Sequence, residues 1–425
     1  MRARLLSVRN LADARLVLKA VGVYPPAIDI MAPKLVHVNI LVENVAPKLA
    51  VILKQDMLAK GGDVATHRGV VDLDGRSYDL LMSGTVKQMR TLAEGLERQY
   101  FGAPALGKEI LGIIEGLSAE QAGVAWRAGG KGIPLGEPLV MGVLNVTPDS
   151  FYDGGRHLSA SAAIEHAFKL LEDGADILDI GGESTRPGAE PVPLKDELRR
   201  VLPVIEKVAP QLKRHKRAAA KRREWGHPLI SIDTYKTGVA KEALAAGAHV
   251  INDVSGCRAD KKMPALLSSS KCGYILMHIL GTPRTMQANP TYKNVLSEIF
   301  GYLDDGIGRL TSAGVAPERV AMDPGIGFGK RVEDNLRIIR HIEYFRSLGR
   351  PIVVGASRKS FIGKVTGEEA EKRLAGSLTV AACLALAGVD VIRTHDVKET
   401  RDVLTMVAAL RGAAYAGPEE PDDED

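Results

Sequence analysis

The chain has 425 residues, enough for about two domains at the usual ~100–200 residues each. Hydrophobic residues make up 45% and charged residues 25%, which is ordinary for a globular protein, and no apolar run approaches the roughly 18 residues of a membrane span. The net charge of +4 hides two opposed segments: "QLKRHKRAAAKRREWGH" (211–227) holds seven Lys/Arg and one Glu, and "GPEEPDDED" (417–425) holds six acids. Aromatic residues are only 4% of the chain, and Trp225 alone interrupts the basic run, so a base-stacking nucleic-acid surface has little material. A solvated extension is the preferred reading.

In chain order, "MRARLLSVRNLADARLVLKAV" carries charges throughout and no secretory apolar core, so it reads as an amphipathic helix. "KLAVILKQDMLAKGG" and "TVKQMRTLAEGLERQYFG" have helical spacing, whereas "RGVVDLDG" and "YDLLMSGT" read as strands. Residues 1–124 thus form a smaller α/β module of unassigned role. A Gly-rich linker over 125–137, in "AWRAGGKGIPLGEP", joins this module to the remainder of the chain.

From 138 to 412 one pattern recurs eight times: an apolar strand, a polar loop, then a helix. The strands are 138–146, 175–182, 228–234, 248–254, 273–278, 319–325, 351–357 and 389–396; "SAAIEHAFKLLEDGA", "TGVAKEALAAGA" and "RLAGSLTVAACLALAGV" are among the helices. Near-continuous apolar strands alternating with helices imply a parallel sheet, and eight units over about 275 residues fit a (β/α)8 TIM barrel. A doubly wound open sheet is the alternative, but no G-x-G-x-x-G follows the first strand. Residues 413–425 form an acidic tail. The three cysteines, Cys257, Cys272 and Cys383, are odd in number and widely spaced, so they read as buried thiols in a reducing cytoplasm.

Polar residues gather where these strands end: Asn145, Glu183, Asp233, Asn252 with Asp253, His278, Asp323, Ser357, and Arg393 with His395. In a parallel barrel that end builds the active site. Asp233, Asn252 and Asp323 suit a flat heterocycle with neighbouring N–H and C=O groups, although each Asp could instead cap the next helix. Arg186, Lys359, Arg393, His395 and Asn145 suit an anion, and the stretch around Ser360 offers a helix N-terminus. "GIGFGK" (325–330) adds a flexible Gly-rich loop. Asn145 could meet a pyrophosphate directly or through Mg2+, which prefers oxygen ligands and substrate phosphates.

"GVLNVTPDSFYDGG", "GGESTRPGA", "SIDTYK", "VINDVSG", "LMH…GTPRTMQ", "MDPGIGFGK", "GASRKSFIG" and "RTHDV" resemble, in order, the dihydropteroate synthase family. The resemblance covers about two thirds of the chain. It implies a TIM barrel that joins 6-hydroxymethyl-7,8-dihydropterin pyrophosphate to 4-aminobenzoate. It further implies pterin contacts from Asp233, Asn252, Asp323 and Lys359, and pyrophosphate contacts from Asn145, Arg186, Arg393 and His395, with Mg2+ at Asn145. The aminobenzoate pocket would be Phe151, Thr185, Arg186, Pro187, Phe328 and Ser360. A homodimer binding only small-molecule substrates, with neither nucleic acid nor membrane as partner, is the family's usual state. Leu280 stands where the family usually has a polar residue. A pterin-dependent methyltransferase would share the barrel but not need "ESTRPGA" and "SRKSF"; a silent pterin-binding scaffold would not need to keep Asn145, Asp233 and Lys359.

Overall fold

The computed structural model describes residues 3–100, 102–118, 126–133, 135–147, 156–184, 188–214 and 227–413. Two compact units emerge, over residues 1–120 and 121–411. The first contains α1 (Leu11–Ala20), α2 (Pro25–Leu35), β1 (His37–Val45), α3 (Pro47–Ala59), β2 (Asp63–Thr66), β3 (Tyr78–Thr85), α4 (Val86–Leu96) and α5 (Ala103–Ser118). Its sheet is antiparallel in the order β1-β3-β2 and packs one face on the helices through Ile40, Val64, Leu80 and Met82.

Three local expectations need correction here. The first helix starts only at Leu11, because Asn10 turns to extended backbone and its side chain accepts from the Asp13 N–H at 2.8 Å. "RGVVDLDG" is a 3-10 turn over Arg68–Asp72, not a strand. Val71 and Leu73 of that run are exposed, and only Val70 reaches the core. The fourth helix stops at Leu96; its start is fixed by a capping box between Thr85 and Gln88. Strand β1 is an addition to the expected elements, although its pattern is partly legible: Val38, Ile40 and Val42 share one face, opposite Asn39, an exposed Leu41 and Glu43.

The second unit opens with a hairpin, β4 (Trp126–Ala128) and β5 (Lys131–Ile133), within the segment expected to be a linker. It is not a spacer. Trp126 is fully buried and its Nε1–H donates to the Arg319 carbonyl at 3.0 Å. Trp126, Ala128, Ile133 and Leu135 cluster with Leu139, Ile177, Leu229, Val250, Ile275, Ala321, Val353 and Val391, and so plug the bottom of the barrel.

All eight expected strands form: β6 (Leu139–Asn145), β7 (Ile177–Gly181), β8 (Leu229–Asp233), β9 (Val250–Asp253), β10 (Gly273–Met277), β11 (Val320–Asp323), β12 (Val353–Gly355) and β13 (Val391–Thr394). Their parallel sheet runs β11-β10-β9-β8-β7-β6-β13-β12, and a Met322–Ile352 bridge joins its ends. Outside lie α6 (Arg156–Asp173), α7 (Leu194–Val208), α8 (Thr237–Ala246), α9 (Met263–Ser269), α10 (Val295–Ser312), α11 (Val332–Arg340), α12 (Ser360–Thr366), α13 (Leu374–Leu386) and α14 (Val397–Gly412). The fold is therefore a (β/α)8 barrel with a smaller α/β unit before it. Outward residues such as Val140, Leu178, Ile230, Ile251 and Val354 pack under these helices. Gly142 permits a close approach, since a Cβ there would stand 3.0 Å from Val397. Of the cysteines only Cys272 is buried; Cys257 is intermediate and Cys383 lies exposed on α13, so the buried-thiol expectation holds for one of three. Most of the basic run and the acidic tail lie outside the described residues.

Candidate active site

Strand register brings the polar strand ends into one rim. Asn145 is level with Gly181, Gly181 with Asp233, and Asp233 with Asn252; Met277 is level with Asp323, and Gly355 with Arg393. Because side chains alternate in and out of a barrel, Asp179, Ser231, Asp233 and Asn252 share the parity of the inward Ile177, Leu229 and Val250. Asp253 has the opposite parity. Its Oδ2 accepts from the Tyr274 hydroxyl at 2.8 Å, so it braces the wall and not the mouth.

Arg393 organises the floor. Its Nε donates to Asp179 Oδ2 at 2.7 Å and its Nη2 to Asp233 Oδ2 at 2.8 Å, while Asn252 Nδ2 donates to Asp179 Oδ2 at 3.1 Å. Asp179, fully buried in the middle of "ILDIG", is not among the site residues expected from sequence. A carboxylate inside an apolar strand was the available signal, since a buried charge is kept only with a partner. Its Oδ1 and the adjacent Ser231 Oγ have no protein partner among the described residues. Burial, and then the neighbouring Asp179 carboxylate, push the Asp233 carboxyl up to about 7 against the pull of Arg393. Burial would lower Arg393, but Asp179 and Asp233 hold it above its ordinary value. Asp233 does not cap α8: the Thr237 N–H donates to Asp260 Oδ2 at 3.0 Å instead.

Opposite stand Asp323 and Lys359. Asp323 Oδ1 accepts from the Gly325 N–H at 2.7 Å, and burial raises its carboxyl. Burial brings Lys359 down to about 8, with Asp323 acting the other way. Lys359 Nζ donates to the Ile326 carbonyl and lies 4.5 Å from the centre of the Phe328 ring. The "GIGFGK" segment was expected to be flexible, but side chains tie it down. Gly325 has φ 69° and a Cβ there would fall 1.9 Å from the His278 carbonyl, so the turn requires glycine.

His395 sits exposed at the rim, its Nδ1 3.2 Å from Ser357 Oγ, which also accepts from the His395 N–H at 3.3 Å. Asn145 is half-exposed at the end of β6. Ser360 is the exposed first residue of α12, a helix of only seven residues. Phe151, Thr185, Arg186 and Pro187 lie outside the described residues. The segment carrying the last three is anchored where it is described: Glu183 Oε2 accepts from the Val192 N–H at 3.0 Å, and Lys236 Nζ donates to Val192 O at 2.7 Å. Lys236 also pairs with Glu183 and Glu197, and the Tyr235 hydroxyl donates to Glu183 Oε1 at 2.8 Å.

A barrel whose mouth sets three buried carboxylates, an amide, an arginine and a lysine around one opening defines a binding enzyme for a polar heterocycle. The model of the pterin binding enzyme family matches residues 141–395, and the chain belongs to that family. Among its relatives, dihydropteroate synthase of Escherichia coli is 41% identical over 288 residues, covering 67% of this chain and 96% of the relative. The structure of Xanthomonas albilineans dihydropteroate synthase with 4-aminobenzoic acid superposes with a TM-score of 0.61 at 40% identity, over 68% of this chain and 99% of that one. A probable bifunctional folylpolyglutamate synthase/dihydropteroate synthase of Halobacterium salinarum is 35% identical over 415 residues. That match covers 96% of this chain, so it extends into the N-terminal unit, and 47% of the relative.

Proposed function

We propose that the barrel is a dihydropteroate synthase, a transferase that condenses 6-hydroxymethyl-7,8-dihydropterin pyrophosphate with 4-aminobenzoate to give 7,8-dihydropteroate and pyrophosphate. The observation that carries this reading is the convergence of Asp233, Asn252, Asp323, Lys359 and Arg393 on one mouth in a chain 41% identical to that enzyme.

In this reading Asp233, Asn252, Asp323 and Lys359 hold the pterin. The carboxylates accept from its N–H edge, and Lys359 donates to an acceptor. Asn145, Arg186, Arg393 and His395 face the pyrophosphate, and Phe151, Thr185, Arg186, Pro187, Phe328 and Ser360 enclose the aminobenzoate. The bond from the pterin methylene to pyrophosphate oxygen breaks with its electron pair going to oxygen. The amine nitrogen of 4-aminobenzoate then forms the new C–N bond and releases a proton. Asp233, kept beside Arg393, stabilises positive charge developing on the pterin. No covalent protein nucleophile is required.

Asn145 offers a hard amide oxygen, and no group of three or more His, Cys, Asp or Glu among the described residues could hold a metal by itself. That donor set fits Mg2+ carried mainly by substrate phosphates and water, with Asn145 as its protein ligand. When bound, Mg2+ would neutralise charge on the departing pyrophosphate. Leu386, Met406 and Leu410, exposed on α13 and α14, support a homodimer through the barrel helices, and the free thiols support a reducing, cytoplasmic setting. The decisive test is pyrophosphate release from the two substrates and Mg2+; purified protein that releases none at any Mg2+ concentration would overturn the reading.

A further inference from the structure

Residues 325–330 run between β11 and α11 without regular structure, yet side chains hold every carbonyl from Ile326 to Gly329. Lys359 Nζ donates to Ile326 O, Gln287 Nε2 to Gly327 O at 2.9 Å, Lys330 Nζ to Phe328 O at 3.0 Å, and the Tyr292 hydroxyl to Gly329 O at 2.7 Å. Three of these donors reach in from other segments. Lys330 belongs to the loop itself and needs its own anchor, which is His278. Lys330 Nζ lies 2.8 Å from His278 Nδ1. His278 is buried at the end of β10, its N–H donates to Asp323 O at 2.9 Å, and its ring meets Tyr302 edge-on with centroids 4.6 Å apart.

Lys330 is only 3% exposed, and no carboxylate among the described residues lies within ion-pair distance of it. Burying an amine without a counter-ion is costly, and burial holds Lys330 well below the ordinary lysine range. Burial likewise brings His278 down to about 2, so the ring is neutral and Nδ1 can accept. A leucine or methionine would fill the space without that cost, so the amine is retained for what it bonds. What it bonds is the backbone of Phe328. That ring lies under the Lys359 ammonium and against Val254, Met277, Ile279 and Met286.

We propose that Lys330 is a positioning residue: it ties the Phe328 carbonyl to the end of β10, and so sets the aromatic wall against which 4-aminobenzoate binds beside Lys359. This rests on the function proposed above. Substitution of Lys330 therefore acts through Phe328 and not through the pterin contacts.

The test combines kinetics with hydrogen exchange on the full chain. In Lys330→Met the KM for 4-aminobenzoate should rise about tenfold, while the KM for the pterin pyrophosphate stays within about twofold. Lys330→Gln, which keeps an N–H donor, should recover part of the loss and carries the same comparison if the Met variant does not fold. In a Phe328→Leu background Lys330→Met should add less than about twofold, because two residues acting through one wall are not additive. Equal rises in both KM values, or additivity with Phe328→Leu, overturn the proposal. Wild type without turnover would overturn the functional reading instead. Amide exchange at 326–329 then judges the anchor alone: faster exchange in Lys330→Met supports it and unchanged exchange refutes it.

Discussion

Replacing Asp233 by Asn separates a group held for function from one held for folding. The carboxyl is pushed from 3.8 to about 7 by burial and by Asp179. A raised carboxyl pKa means that the folded state binds more protons than the unfolded chain between those two values. Its contribution is favourable below pH ~4 and is lost as pH rises through about 7. At ~1.36 kcal/mol per pKa unit the whole window is worth about 4 kcal/mol, and roughly 3 kcal/mol of it lies above pH 5. Asn has no such titration. It keeps an acceptor for Arg393 Nη2 and removes the repulsion with Asp179. The variant should therefore gain up to ~3 kcal/mol on wild type between pH 5 and pH 8, measured as the urea midpoint of the barrel transition at each pH. Above pH ~7, where the wild-type carboxyl is charged, kcat should fall by at least about a hundredfold, since a preorganised charge facing the developing cation is gone. A stability difference that stays flat with pH would refute the reasoning, as would a variant that simply unfolds at pH 8. The second outcome would restore Asp233 as a structural residue.

Three further outcomes rest on the same geometry. Lys359, brought down to about 8, should lose its charge on the alkaline side, so kcat/KM should fall above pH ~8; Lys359→Arg should move that limb upward, and coincident limbs would exclude Lys359 as its source. Trp126→Ala removes a fully buried ring and its bond to Arg319 O, and should cost about 3–5 kcal/mol of barrel stability in urea while kcat of the folded protein stays within about twofold. Lys236→Met leaves Glu183 and Glu197 buried without their cation and should cost about 3–5 kcal/mol; adding Glu197→Leu should recover part of it, and a double variant no more stable than the single would show that the pairing carries little.

The barrel was legible because each of its strands is a short apolar run closed by a polar residue, and that signal depends on nothing distant. Asp233, Asn252, Asp323 and Arg393 were legible for the same reason. The partners were not. Arg393 meets Asp179 across 214 positions of sequence through strand register, and Lys236 meets Glu197 across 39 through the packing of α7 beside the start of α8, so neither pairing is local. The Gly-rich 125–138 stretch looked like a spacer because its four glycines dominate local composition. Burial of Trp126, Ile133 and Leu135 by strands that lie further along the chain outweighs that local preference. "RGVVDLDG" failed the opposite way: strand propensity was real, but a 3-10 turn already buries Val70 in the core of its unit and leaves Val71 and Leu73 exposed.

The two ends of the barrel divide opposing demands. At the top, inward positions on β7, β8, β9 and β11 hold Asp179, Ser231, Asp233, Asn252 and Asp323, where a barrel built only for stability would place aliphatic side chains. Asp179 Oδ1 and Ser231 Oγ lack protein partners among the described residues, so this layer subtracts from stability in the ligand-free protein. At the bottom, the β4–β5 hairpin adds Trp126 and Ile133 to a layer that is wholly apolar. The mouth can therefore keep unsatisfied acceptors and a carboxyl titrating near neutrality because a separate layer, out of contact with substrate, supplies compensating burial. Loss of the hairpin should thus unfold the barrel before it alters the chemistry, whereas loss of a rim carboxylate should do the reverse.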